Sequence, residues 1–143
     1  MREILFRGKR IDNGEWVEGY YFERKNIQGN IIESVVIVDA YEQISGGQRY
    51  VRSNLNNECF RVDPETVGQF IGLTDKNSKR IFEGDILDVN GYAYACRWDD
   101  GNVEFGIYNK YESLGIAYIG AFNSEVIGNI HDNPELLKED YYE

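Results

Sequence analysis

The run Asn90-Gly91-Tyr92-Ala93-Tyr94-Ala95-Cys96-Arg97-Trp98-Asp99-Asp100-Gly101 decides the fold class. Between two turn signals, Tyr92, Tyr94, Cys96 and Trp98 fall on one side of a two-residue repeat, with Ala93, Ala95 and Arg97 on the other. Alternation with period two is the mark of a strand, because successive side chains leave the pleat on opposite faces. Asn90-Gly91 suits a tight hairpin, since both residues accept the positive φ such a turn demands. Asp99-Asp100-Gly101 turns the chain at the other end. Apolar runs flank both turns: Ile86, Leu87 and Val89 before, and Val103, Phe105 and Ile107 on one face after.

Working outward, the same grammar repeats. Residues 3–8 and 15–23 read as strands around Asp12-Asn13-Gly14. Residues 31–38 read as a β-branched strand after the turn Gly29-Asn30. Residues 39–60 are the least regular, with Ser45-Gly46-Gly47-Gln48 as a turn, a short strand at 49–52 and a loop at 53–57. Asp63-Pro64-Glu65-Thr66 reads as a turn entering a strand at 67–73, and residues 75–79 as a polar reverse turn. Segments 116–122 and 125–130 read as further strands. One short helix is expected at the end. Asp132 or Asn133 would cap it, Pro134 and Glu135 suit its first turn, and Leu136 and Leu137 would pin it to the sheet. Strands joined by tight turns predict a mainly β chain, a small barrel or sandwich. At 143 residues it is expected to be one unit, with lobes 1–75 and 76–137.

Composition agrees. Eleven Tyr, seven Phe and two Trp favour strands. A chain of this length buries roughly two-thirds of its unfolded surface, enough to fold without disulfides or metal. Cys59 and Cys96 form no close pair and read as free thiols. The N-terminus carries no apolar run of signal length and no segment approaches a membrane span, so a cytoplasmic location is expected. Charge is lopsided. Residues 1–80 balance at 12 Lys and Arg against 12 Asp and Glu, whereas residues 81–143 carry 3 against 13, the whole net charge of −10. A lobe of that sign repels phosphates, so nucleic acid is an unfavourable partner despite aromatics suited to stacking.

No spacing points to a reaction. His131 is the only histidine and would serve Cys59 or Cys96 only through the tertiary fold. Glu83, Asp85, Asp88, Asp99, Asp100 and Asp132 offer oxygen ligands for a hard cation, without the alternating spacing of a Ca²⁺ loop. No cofactor, resident metal or catalytic residue is expected. Glu83-Gly84-Asp85 and Asn129 read as turn residues that bond backbone amides.

Three segments together resemble the YopX family of phage and prophage proteins. The first is Phe6-Arg7-Gly8-Lys9 followed by Trp16-Val17-Glu18-Gly19-Tyr20-Tyr21. The second is Val62-Asp63-Pro64-Glu65-Thr66-Val67-Gly68-Gln69-Phe70-Ile71-Gly72-Leu73-Thr74-Asp75-Lys76-Asn77, continuing through Ile81-Phe82-Glu83-Gly84-Asp85-Ile86. The third is Val126-Ile127-Gly128-Asn129-Ile130-His131-Asp132-Asn133-Pro134-Glu135-Leu136-Leu137. The resemblance implies a β-rich structure whose C-terminal part is an SH3-like barrel, and a phage or prophage origin. It implies no activity, cofactor or catalytic residue. This chain departs from the pattern at Ser78, where the family commonly places Gly after the Asn of the Asp-Lys-Asn turn.

The function expected is that of a non-enzymatic protein-binding module or regulator acting on a host or phage protein. Its surface would combine Tyr92, Tyr94, Trp98, Asp99 and Asp100, since Tyr and Trp bury much area with few rotors. The alternatives are an acidic DNA-mimic decoy, a metal-dependent hydrolase, and a structural phage protein that self-associates through sheet edges into a homo-oligomer. A membrane partner is not expected.

Overall fold

The computed structural model describes residues 3–38, 40–53, 59–121 and 123–137. These residues are mainly β, and the chain divides into two compact units after Gln69. In the first, β1 (Phe6–Arg10), β2 (Trp16–Lys25), β3 (Ile31–Ile37) and the start of β6 (Cys59–Thr74) are all antiparallel. β1 pairs with both β2 and β6, and β3 pairs with both β2 and β6. A separate hairpin joins β4 (Ala40–Ser45) to β5 (Gln48–Ser53), with Gly46 and Gly47 both at positive φ in its two-residue turn. The turn at Gly46-Gly47 was legible, whereas β4 was not. Residues 54–57 of the expected loop lie outside the described residues.

Asp63-Pro64-Glu65-Thr66 does not end a strand. It is a distortion inside the 16-residue β6, where the register against β1 shifts between Arg7 and Lys9. Proline has no amide to donate, so the ladder fails locally and a side chain repairs it. Lys9 N donates to Thr66 Oγ1 (2.9 Å), and that hydroxyl donates to Asp63 O (2.6 Å).

In the second unit, residues 70–74 of β6 pair with β7 (Arg80–Phe82). The strands β8 (Asp85–Val89), β9 (Tyr92–Asp99), β10 (Glu104–Tyr108), β11 (Ser113–Gly115) and β12 (Ser124–Asn129) form an antiparallel sheet in the order β11-β10-β9-β8-β12. The β8–β9 hairpin turns on Asn90 and Gly91 at φ 55° and 86°, the geometry their sequence calls for. Its core joins Ile71, Ile81, Leu87, Val89, Tyr94, Cys96, Phe105, Ile107 and Ile119.

Two expectations are corrected here. Of the strand expected at 116–122, residue 122 lies outside the described residues and 116–121 are not a strand: Ala117–Ala121 is a single-turn helix, α1, opened by Ile119 N bonding Ile116 O (3.0 Å). A short apolar run carries no decisive period, and burying Ile119 in the core settled its conformation. The terminal helix is one turn of 3-10 helix, Pro134–Leu137, in which Leu136 N reaches the carbonyl of Asn133.

Candidate functional site

The β9–β10 hairpin positions the residues singled out from sequence. Glu104 pairs with Asp99, and four residues close the loop between them. Asp99 organises that loop. Its Oδ1 accepts from Gly101 N (2.9 Å) and Asn102 N (3.3 Å), and its Oδ2 from Asn102 Nδ2 (2.9 Å). The Asn102 amide, with its side chain and Gly101 N behind it, holds this carboxyl below the usual range against the opposing pull of desolvation. Val103 completes the loop at φ 54°, a left-handed conformation that costs a β-branched residue strain.

Trp98 stands at the end of the core face, 41% exposed. Its ring meets Phe105 edge-on at 5.0 Å, and its indole Nε1 donates to Asp100 Oδ1 (2.9 Å). The aromatic and the carboxylate expected together are thus joined, with the rotamer of Trp98 held from two sides. Tyr92 is similarly half-exposed at the other end of β9. The two lie six positions apart along the strand, about 20 Å. Tyr94 lies between them but belongs to the core at 4% exposure, its hydroxyl donating to Glu112. Trp98 and Asp100 are therefore brought together, Asp99 turns to the opposite face and its own loop, Tyr92 stands apart, and the Tyr94 ring is enclosed. Exposed Tyr111 and Tyr118 escaped the sequence reading, because neither sits in an alternating run.

The opposite face of the same strands holds a cleft of about 50 Å³, lined by Arg97, Asp99, Asn102, Glu104, Gly106 and Ser113 among others. Arg97 Cζ lies over the ring of Tyr108, 4.0 Å from its centroid, and the guanidinium donates through Nη2 to Ser113 Oγ (3.2 Å). Arg97 was legible only as an isolated cation. The partners that orient it come from β10 and β11.

Asp75, Asp85 and Asp88 serve backbone amides. Asp75 is buried, with Oδ1 accepting from Asn77 N (2.8 Å) and Lys79 N (2.9 Å) and Oδ2 from Val126 N (2.9 Å). Burial alone would raise its pKa, but the three amides, Val126 first, hold it below the ordinary value. Within that turn Ser78 adopts φ 63°, so the conformation suited to Gly survives without one. Asp85 is fully buried and accepts from Phe82 N (2.8 Å), while Asp88 accepts from Gly91 N (2.8 Å). Asn129 Oδ1 accepts from the amides of His131 and Asp132 (3.0 and 2.9 Å). Among the described residues, no three His, Cys, Asp or Glu side chains gather to hold a metal ion. Cys96 is buried and Cys59 exposed.

No helix among the described residues is long and apolar enough to cross a membrane. The family model described as YopX protein matches residues 5–138. Among solved structures, the chain is similar to the crystal structure of protein EF1440 from Enterococcus faecalis, at 26% identity and a TM-score of 0.59 over 96% of this chain and 99% of that one. No curated protein matches.

Proposed function

This chain belongs to the YopX family, and from the surface it presents we propose that it is a protein-binding module or regulator that acts on a host or phage protein in the cytoplasm. The presentation of Trp98 carries this reading. A half-exposed indole whose orientation is already set by Phe105 and Asp100 loses little freedom on docking, which is what an interface anchor requires. Enclosing a drug-sized ligand takes roughly 300–1,000 Å³. The cleft behind Trp98, at about 50 Å³, favours contact over enclosure. Five antiparallel strands with short connections support an SH3-like reading of this unit. The surplus of carboxylates in residues 81–143 argues for a partner that is not a polyanion.

Affinity purification from host lysate with the native chain and with Trp98→Ala, quantified by mass spectrometry, tests the proposal. The native protein should retain a specific partner, and the variant, checked to remain folded, should retain about tenfold less. Capture that is absent, or indifferent to Trp98, defeats it.

A further inference from the structure

The cleft across β9, β10 and β11 holds chemistry that the Trp98 reading leaves unused. Arg97, Gly106 and Gly115 stand in one cross-strand row. The two glycines add no side chain of their own to that row, where the β11 backbone closes on Gly106 and the Glu104 carboxylate rests against Gly115. Gly106 is required by the sheet itself, since a Cβ there would sit 2.7 Å from Leu114 O. Contact with the Tyr108 ring and the bond to Ser113 position the guanidinium while using only one of its N–H donors. The Ser113 hydroxyl accepts that bond, so its own proton is left to donate.

Glu104 enters from the other end. Its Oε1 lies 2.8 Å from the place a Gly115 Cβ would take, so the carboxylate rests over β11. Ser113 and Gly115 are two residues apart along that strand, about 6.7 Å. One cation, Arg97, and two carboxylates, Asp99 and Glu104, thus overlook one small trough; the Arg97 charge acts on Asp99, and no ion pair joins Arg97 to Glu104. A lone anion seated there would meet repulsion from Glu104 and Asp99, and a lone cation would meet it from Arg97. A molecule carrying both charges on neighbouring atoms satisfies both ends.

We propose that this trough binds a small zwitterionic α-amino acid, with its carboxylate on Arg97 and the Ser113 hydroxyl and its ammonium on Glu104. A cleft of about 50 Å³ admits few heavy atoms, so glycine, alanine and serine are the fitting sizes. The site lies on the face opposite Trp98 and stands independently of the protein-binding reading.

Titration of the isotopically labelled chain with glycine, acetate and methylammonium, followed by amide chemical shifts, tests it. Glycine should produce saturable shifts confined to Gly106, Ser113, Leu114 and Gly115, with a midpoint in the millimolar range. Acetate or methylammonium alone should bind about tenfold more weakly or worse. Glu104→Gln should abolish saturation. So should Gly115→Ala, whose methyl would push the Glu104 carboxylate off its resting place, and each variant should retain the native spectrum elsewhere. Shifts scattered over the surface, an equal response to acetate, or unchanged glycine binding by Glu104→Gln would overturn the proposal.

Discussion

The two units of this chain spend their charges differently. In the first, residues 3–69, charges answer one another and the aromatic rings. Arg24 and Arg61 both pair with Glu33, Arg10 pairs with Asp12, and Arg7 and Lys9 both lie over Trp16. In the second, acidic residues far outnumber basic ones, and Asp75, Asp85, Asp88 and Asp99 instead accept bonds from backbone amides at turns. The cores differ in the same sense. Among the described residues, the buried hydrophobics of the first unit are Val35, Val36 and Val62, against a nine-residue cluster in the second. An exposed ion pair contributes little to stability, whereas a buried carboxylate that satisfies several amides is costly to lose. The acidic unit should therefore be the one in which single acidic residues matter most.

The sharpest way to break that contrast is Asp75→Ala. Stripping three amides of one buried acceptor should cost about 3–4 kcal/mol, read as a lower urea midpoint at constant slope. A cost no larger than that of a surface substitution would erase the distinction. The pH dependence comes next. Because the Asp75 carboxyl titrates below its ordinary value in the folded chain, its contribution is complete above about pH 4 and disappears as pH falls through the lowered value. Native protein should lose stability along that acid limb, and Asp75→Asn should flatten the limb.

A smaller effect of opposite sign is expected at Val103. Its left-handed backbone stores strain while its side chain is 72% exposed, so little packing is forfeited on replacement. Val103→Gly should stabilise by about 1 kcal/mol, net of the extra freedom glycine brings to the unfolded chain. Thermal unfolding measures it. The least effect should come from the first unit's ion network. Glu33→Gln should leave the urea midpoint nearly unchanged, and whatever difference appears should vanish in high salt.

How much could be read in advance follows from how local each cause is. Asn90-Gly91 announced its turn because both residues had to take positive φ, a property of two residues alone. Tyr94 and Cys96 were legible as neighbours on one face, and they share the second unit's core. That Tyr94 would be enclosed while Trp98 and Tyr92 remained partly exposed was not legible, since all three share the same side of the alternation. The depth of each depends on how far the covering elements extend along β9. The strand expected at 116–122 failed for a related reason: its apolar residues suit strand or helix equally, and packing chose.

The sequence by itself determined the β class, the tight turns and the uneven charge, because these rest on side-chain period, φ preference and counting. Only the tertiary structure decided which carboxylates feed amides, which aromatics face outward, and that Arg97 and Glu104 overlook one glycine trough. Those outcomes depend on strand register, which brings together residues far apart in the chain and which no local pattern encodes.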